Sequence, residues 1–247
     1  MNIRFLVITL LLLTSLTTSC FVHDTTVSPE DPEKINGSKT LITETRVLPD
    51  FNSVNISTAG EVYVTYGAEQ EVTVTADDNV VDYIYTTVSN GKLLIGIKRD
   101  VQLNNFTLIV NLTMTDLEEL STSSAGSIIG RNKFKADNVS LYSTSAGSII
   151  LELEAYELYS SLSSAGSFFL RGSVENHRAV LSSAGNLLAF DLVTDTTIVT
   201  LSSAGNAEVY VNSLLDVTIS SVGSLFYKGN PTINQTITSI GRVINAN

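Results

Sequence analysis

A stretch that recurs along the chain decides the fold, and its copy at residues 201–211 reads LSSAGNAEVYV. Around Gly205, small or polar residues alternate with Leu, Ala and Val, and this period of two residues is typical of a β-strand. Related tetrapeptides end at eight glycines: Gly60, Gly126, Gly147, Gly166, Gly185, Gly205, Gly223 and Gly241. From Gly126 onward, successive glycines are 18–21 residues apart. This period predicts stacked units that bury their apolar faces only against one another.

The length and composition of the repeat indicate a β-helix. No window in the repeats shows a helical stripe, and a propeller blade would need about 40 residues. A left-handed β-helix is built from hexapeptides, so the spacings of 19, 20 and 21 residues do not fit it. The handedness of parallel crossovers favours the right-handed form. We therefore predict an all-β chain that forms a single-stranded right-handed parallel β-helix of roughly nine coils, with about 19 residues in each.

Aligning the copies on the glycine gives columns of equivalent residues, and two of these columns are mostly apolar. We predict that both point inward and form ladders in the core. The column four places before the glycine contains Ile56, Leu162, Leu181, Leu201, Ile219 and Ile237, with Thr122 and Ser143 as exceptions. The column two places after it contains Val62, Ile128, Ile149, Phe168, Leu187, Ala207, Leu225 and Val243.

The other repeated residues are predicted to form a corner. The glycine is expected to have a positive φ, where a Cβ would clash. The alanine before it is expected to pack beneath the corner. Two places before the glycine, every residue is Ser or Thr, and these hydroxyls are expected to satisfy backbone groups at the bend or one another.

Residues 41–120 are less regular than residues 121–247. Short strands are predicted near residues 42–48, 52–57, 61–66, 71–76, 82–88, 92–98 and 106–112, with a turn at Asn90-Gly91. The 66 residues between Gly60 and Gly126 leave room for about three coils of the same length. We interpret this segment as the irregular start of one head domain that spans residues 41–247, and a separate small β-domain is the alternative.

The amino terminus is predicted to be an export signal followed by a lipid anchor. Residues 1–19 contain one basic residue, Arg4, then a short apolar run and small polar residues, which is the layout of a lipoprotein signal peptide. The only cysteine, Cys20, follows in a sequence similar to a lipobox, and we predict that it carries the lipid, including palmitate, that attaches the chain to the membrane. An ordinary signal with an incidental cysteine is the alternative. Residues 20–40 are polar and are predicted to be a flexible tether.

Several segments together resemble the head GIN domain family of auto-transporter adhesins, which are common in Bacteroidetes lipoproteins. The resemblance covers about residues 40–247 and implies a right-handed β-helix at the cell envelope. The matching segments are residues 46–54 (RVLPDFNSV), 59–64 (AGEVYV), 72–79 (VTVTADDN), 91–95 (GKLLI) and the SSAG corners.

Composition excludes several classes of function. The chain has 14 Lys and Arg against 25 Asp and Glu, a net charge of −11, and no dense basic stretch. It is therefore a poor match for nucleic acid, whose phosphates require Lys and Arg. One cysteine excludes an internal disulfide, and two histidines exclude a histidine-rich metal site.

Candidate chemical groups are few, and we predict no catalytic residue, no metal site and no cofactor. Glu152, Glu154 and Glu157 form one acidic stretch and Asp191 and Asp195 another, and both read as a solvated edge. The pair Asp77-Asp78 with Asp82 has the ligand type for calcium, although a surface loop is favoured. His177 is the only histidine of the head domain. Because no nucleophile motif accompanies it, we do not expect it to form a catalytic triad. The charged residues Arg99, Asp100 and Arg171 read as loop charges.

These patterns favour a non-enzymatic lipoprotein of the outer membrane that binds a glycan or an envelope or host protein. Rows of hydroxyls and amides about 4.8 Å apart would suit a repeating ligand. Ordinary corner residues are the alternative for each row. The alternative functions are a carbohydrate-active β-helix enzyme and a structural or stress-sensing envelope component. The sequence leaves open which face of the membrane carries the protein. The row three places before the glycine contains Ser123, Ser163, Ser182, Ser202 and Ser220, and the row one place after it contains Ser127, Ser148, Ser167, Asn186, Asn206 and Ser224.

Overall fold

Nineteen β-strands and one short 3₁₀ helix make up the part of the chain that the computed structural model describes, residues 32–247. These residues form one compact unit. The signal segment 1–19, Cys20 and the tether up to residue 31 lie outside the described residues. Within residues 32–247, no helix is long and apolar enough to span a bilayer.

The strands form a lower set and an upper set, and the four longest strands, of 14–16 residues, belong to the upper set. The lower elements are β1 Glu33–Asn36, β2 Leu41–Thr45, β3 Ser53–Ile56, β4 Glu61–Tyr66, β5 Glu71–Asp77, the 3₁₀ helix Val81–Tyr83, β6 Ile84–Ser89, β7 Lys92–Ile97, β8 Val101–Asn104 and β9 Leu108–Met114. The upper strands are β10 Glu119–Thr122, β11 Ser127–Gly130, β12 Phe134–Ser143, β13 Ser148–Leu162, β14 Ser167–Leu181, β15 Asn186–Leu201, β16 Asn206–Ile219, β17 Ser224–Lys228, β18 Thr232–Ile237 and β19 Arg242–Asn245.

The upper strands stack in parallel as the coils of a solenoid. Strand β13 pairs with β14 from Ser148↔Ser167 to Leu162↔Leu181, so the pairing offset equals the 19-residue repeat. The variation in repeat length is absorbed by register shifts inside the long strands, one of which lies between Phe169 and Arg171. The predicted all-β solenoid is thus confirmed.

The solenoid has about seven turns, so the prediction of roughly nine coils was too high. The reason lies in the 66 residues between Gly60 and Gly126. Strand β3 pairs directly with β10, and β4 pairs directly with β11. The corner at Gly60 therefore stacks immediately below the corner at Gly126, and the amide of Ser127 donates to the carbonyl of Gly60 at 2.9 Å. The intervening chain inserts no coil between them.

That intervening chain closes the lower end of the solenoid together with β2, and we call these strands the lower cap. Strands β7 and β9 continue the parallel stack below β3 and β4. Strands β2, β5 and β6 then pair antiparallel, as β2–β5, β5–β9 and β6–β7. The β6–β7 hairpin turns at Asn90 and Gly91, as predicted, and their φ values of 50° and 73° suit a tight two-residue turn.

The first described strand lies inside the segment that was predicted to be a tether. Strand β1, at Glu33–Asn36, lies inside the segment 20–40 but pairs in parallel with β8. Ile35 is partly buried against the core, which explains why these residues join the fold. The strand β8 itself was not predicted.

The two predicted apolar ladders form the core. In the column two places after the glycine, every residue from Val62 to Leu225 is fully buried, and only Val243 in the last coil is partly exposed. The other column is buried from Ile56 to Ile219, including the exceptions Thr122 and Ser143. Burying each large apolar member contributes roughly 1.5–3 kcal/mol before the entropic cost of ordering is subtracted.

The predicted reason for the corner glycines was wrong at most positions. Among the repeat glycines, only Gly60 has a positive φ, 151°. The others face a close approach of backbone from the coil below: a Cβ on Gly147 would lie 2.6 Å from the carbonyl oxygen of Gly126, and one on Gly205 would lie 2.7 Å from that of Gly185. The glycines are needed because the corners stack tightly.

The alanines of the corner do not pack beneath it. Ala125, Ala146 and Ala165 are exposed, because the adjacent glycine takes the inward position.

The corner hydroxyls satisfy the backbone, as predicted, in three coils. In each, the serine two places before the glycine donates to a carbonyl of the coil below. These bonds are Ser145 to Ser123 at 3.1 Å, Ser183 to Ser163 at 2.7 Å and Ser203 to Ser182 at 2.6 Å.

Candidate functional site

Asp77 has a structural role in the fold. The sequence favoured a surface loop at this position, but Asp77 does not lie in one. It ends β5 with a fully buried side chain. Its carboxylate accepts backbone N–H groups from Thr107 at 2.6 Å and from Lys39 at 2.5 Å. The bond from Thr107 is the main reason why the pKa of Asp77 is lowered, because it stabilises the charged form. Asp77 therefore holds the segment before β2 against the end of the solenoid.

Asp78 and Asp82, the other two candidate calcium ligands, do not form a site with Asp77. Asp78 accepts the hydroxyl of Ser38 at 2.5 Å, and Asp82 is exposed on the 3₁₀ helix. Among residues 32–247, no three His, Cys, Asp or Glu side chains are grouped so that they could hold a metal ion. The described geometry gives Asp77 and Asp78 a structural role.

The acidic residues of the upper coils do not converge on one point. Glu152 and Glu154 lie 3.9 Å and 3.6 Å from the ammonium groups of Lys133 and Lys135 in the coil below. Asp195 accepts a hydrogen bond from Ser213, and Asp191 is exposed. Exposed ion pairs of this kind contribute little to stability and tie up the carboxylates.

The other charged residues that the sequence singled out lie elsewhere on the surface. Arg99 and Asp100 lie in a turn, as predicted, whereas Arg171 lies in β14 and not in a loop. Glu157, by contrast, lines a cavity described below.

His177 lies inside the solenoid. It is 2 % exposed, and its Nε2 is 3.0 Å from the hydroxyl of Ser160. Its Nδ1 has no hydrogen-bond partner among residues 32–247, so no carboxylate of this part of the chain orients the ring as a triad would require. Burial lowers the pKa of His177 to about 4, because the apolar surroundings disfavour the charged ring. A neutral, enclosed histidine of this kind cannot meet a substrate.

The two predicted polar rows differ in exposure. The serines three places before the glycine, such as Ser163 and Ser182, are exposed along the corner. The row one place after it is mostly half-buried, and two of its members, Ser127 and Ser148, hydrogen-bond to each other at 2.9 Å. The first row is therefore the more accessible surface.

A cavity that was not predicted lies on an outer sheet face, and we call it the outer groove. Its volume is about 320 Å³. Its floor is the backbone around Val139, Leu158 and His177, whose side chains point inward. One wall contains Asn138, Glu157, Asn176 and Thr196, and the other contains Ser140, Tyr159, Arg178 and Ile198.

The repeat itself contained the signal for this groove. Its walls lie nine and seven places before the glycine, and the alternation that points Leu158 inward points Glu157 and Tyr159 outward. Both columns lie outside the corner, whose predicted columns extend only four places before the glycine.

A larger depression of about 800 Å³ lies at the neighbouring bend. Five of its lining residues are acidic, and Lys135 is its only cation. The carboxylates belong to Asp116, Asp137, Glu154, Glu175 and Asp195. This acidic bend repels anions. The outer groove beside it is more balanced in charge, because its lining has one acidic and one basic residue, Glu157 and Arg178.

Solved structures of other proteins share this fold. A putative adhesin from Bacteroides fragilis superposes with a TM-score of 0.81 at 24 % identity, covering 85 % of this chain and 99 % of its own. A putative lipid binding protein from Parabacteroides distasonis gives 0.74 at 22 % identity, covering 87 % and 100 %. A putative adhesin from Parabacteroides merdae gives 0.71 at 18 % identity, with the same coverage. At these identities the similarity shows the fold.

Among curated proteins, none matches the sequence. A family model does match it, over residues 50–231, which is more than half of the chain. This range includes strands β3 to β17 and seven of the eight glycine corners. The chain therefore belongs to the family described as "Putative auto-transporter adhesin, head GIN domain".

Proposed function

We propose that the protein is a non-enzymatic binding protein of the cell envelope, an adhesin that a lipid on Cys20 holds at the outer membrane. The observation that carries this proposal is the rigid outer surface of the solenoid, on which each coil repeats the position of side chains in the coil below. Neighbouring coils lie about 4.8 Å apart. The partner is a glycan or an envelope or host protein.

The packing of the scaffold supports a binding role. Side chains on the outer faces stand on strands whose inner residues are fully buried, so the surface is ordered before any partner arrives. Preorganisation of this kind reduces the entropic cost of binding. The family description as an adhesin agrees with such a role at the envelope.

The candidate catalytic groups are paired or buried, and this favours a binding protein over the alternative of a carbohydrate-active enzyme. A glycosidase of the usual type needs two carboxylates that flank the scissile bond. Here Glu152 and Glu154 lie opposite lysines, and Asp77 is buried against backbone amides. His177 is enclosed and has a lowered pKa.

The proposal is tested with the full chain expressed in a Bacteroidetes host, with Cys20→Ala as the matched variant. We expect the wild-type chain to incorporate labelled palmitate, to fractionate with the outer membrane and to be cut by protease added to intact cells. Cells that carry it should adhere to surfaces coated with mucin or with bacterial envelope material. The Cys20→Ala variant should lose all four properties.

Two results would contradict the proposal. If wild-type cells adhere no better than Cys20→Ala cells, the protein is not an adhesin. If palmitate labelling and membrane fractionation are the same for both chains, the lipid is not on Cys20.

A further inference from the structure

We infer that the outer groove is a glycan-binding site that takes a hexopyranose oligosaccharide. This inference rests on the proposed function, which it makes specific by assigning a place and a ligand class. It is carried by the residue types in the groove, by their lack of partners within the protein, and by the shape of the cavity.

The groove departs from the residue types that the repeat needs. In the coils above, the same two columns contain Thr196 and Ile198, then Leu214 and Asp216, then Thr232 and Asn234, so neither column has an aromatic ring or an arginine there. In two coils of the groove, these columns contain Glu157 and Tyr159, then Asn176 and Arg178. The strand geometry does not require these residues, so their concentration around one cavity indicates a role in binding.

The polar side chains of the groove are unpaired. Among the described residues, neither Glu157, Asn176 nor Arg178 forms a side-chain hydrogen bond or an ion pair. Elsewhere on the surface, oppositely charged residues one coil apart do meet, as Lys135 and Glu154 do at 3.6 Å. The groove thus offers a carboxylate, an amide and a guanidinium whose hydrogen-bonding capacity is available to a ligand.

Tyr159 provides a fixed aromatic surface beside these groups. Its ring is half-buried and packs against Tyr142 with centroids 5.7 Å apart and planes tilted by 56°. Aromatic side chains held in this way offer a large apolar contact together with a polar edge. Its hydroxyl has no hydrogen-bond partner among the described residues.

A hexopyranose matches this combination. Its axial C–H groups form an apolar face that packs on an aromatic ring, and its equatorial hydroxyls both donate and accept hydrogen bonds. Glu157 and Arg178 are the charged residues of the lining and their charges cancel, so the groove suits a neutral ligand. The volume of about 320 Å³ lies within the range of small-ligand sites and suits a short oligosaccharide.

The experiment measures binding by the full lipidated chain, solubilised in a detergent without a sugar headgroup. It is titrated with hexasaccharides of glucose, galactose, mannose and N-acetylglucosamine. We expect at least one of them to bind, and Tyr159→Ala and Arg178→Ala each to weaken that binding by about tenfold or more. Tyr156→Ala is the matched control, because this tyrosine is on the same strand, 58 % exposed and outside the outer groove, and it should leave the affinity unchanged.

Arg178 is exposed, so Arg178→Ala keeps the test valid if Tyr159→Ala fails to fold. The inference is overturned if no hexasaccharide binds, or if both groove variants bind as tightly as the wild type. The adhesion assay separates this failure from failure of the proposed function. Adhesion that is lost after the coated surface is treated with periodate supports a glycan ligand. Adhesion that is lost only after protease treatment indicates a protein ligand, and it would overturn the glycan site while leaving the adhesin role intact.

Discussion

His177 places a titratable ring in a core whose other large side chains are apolar. Its neighbours in register are Leu158 in the coil below and Thr197 in the coil above, and neither carries a charge. Within the described part of the chain, the ring's one hydrogen-bond partner is the hydroxyl of Ser160. Protonation would therefore create a buried charge with no counter-charge, which is costly in an apolar interior.

This arrangement predicts an acid-sensitive contribution to stability. The pKa of His177 in the folded chain, about 4, is below the ordinary value of 6.5, so the unfolded chain binds more protons between these two pH values. The free energy of unfolding should be at its full value above pH 6.5 and should fall as the pH is lowered towards 4. From pH 7.5 to 4.5 the loss that His177 contributes is about 2–3 kcal/mol.

The variant His177→Gln tests this, because glutamine can still hydrogen-bond to Ser160 but does not titrate. Urea unfolding at pH 7.5 and at pH 4.5 should show a smaller loss of stability for the variant than for the wild type. Carboxylates such as Asp77 titrate in both proteins and cancel in the comparison. Equal losses in the two proteins would show that His177 is not the sensor.

The direction of each side chain was predictable from the sequence, but its environment was not. The alternation of polar and apolar residues places Leu201 and Ala207 inward, and both are fully buried. The same alternation does not show that Asp77 meets the amides of Lys39 and Thr107, because those contacts join segments about 30–38 residues apart. Contacts of that kind depend on how the lower cap folds.

The corner is the element that sets the spacing between coils. Each glycine brings its carbonyl close to the glycine above, and the amide that follows the upper glycine donates to the carbonyl of the lower one, as Asn206 does to Gly185 at 3.2 Å. The sequence shows the glycine but not the neighbour that requires it. For this reason the expected positive φ was wrong at every corner except Gly60, whereas the turn at Gly91, which depends on local chain geometry, was right.

The corner predicts a clear cost for Gly205→Ala. The added Cβ would lie 2.7 Å from the carbonyl oxygen of Gly185 and 2.8 Å from that of Ser183, so the coils must separate locally. We expect a loss of about 1–3 kcal/mol, as for other overpacked sites. The stiffer unfolded chain of an alanine variant recovers only about 0.4–1 kcal/mol.

The control for this variant is Ala204→Val at the neighbouring residue, which is exposed and should change stability by less than about 0.5 kcal/mol. Urea unfolding of the two variants and the wild type gives the comparison. A Gly205→Ala protein as stable as the wild type would mean that the corners can separate without cost.

The two ends of the whole solenoid differ. The lower end is covered by antiparallel strands and by the segment that Asp77 holds, so the ladder residue Ile56 is fully buried. At the upper end, within the described residues, nothing lies above β18 and β19, and Ile237 is 37 % exposed.

The repeat predicted the stack, but one sequence could not show that the 66 residues after Gly60 turn back beneath it. Nor did it show the outer groove, whose cavity depends on side chains from four coils.

This difference predicts a gradient of stability along one ladder. Leu201 and Ile237 occupy the same column, but Leu201 is fully buried between Leu181 and Ile219, whereas Ile237 has only Ile219 beneath it. Leu201→Ala removes buried methyl groups and leaves a cavity, which should cost about 2–5 kcal/mol in urea unfolding. Ile237→Ala should cost less than about half as much, because part of its surface already meets water. Native-state hydrogen exchange should rank the same positions, with the amides of β18 exchanging faster than those of β15. Equal losses for the two alanine variants, or equal exchange rates in the two strands, would mean that the upper coil is as firmly held as the centre.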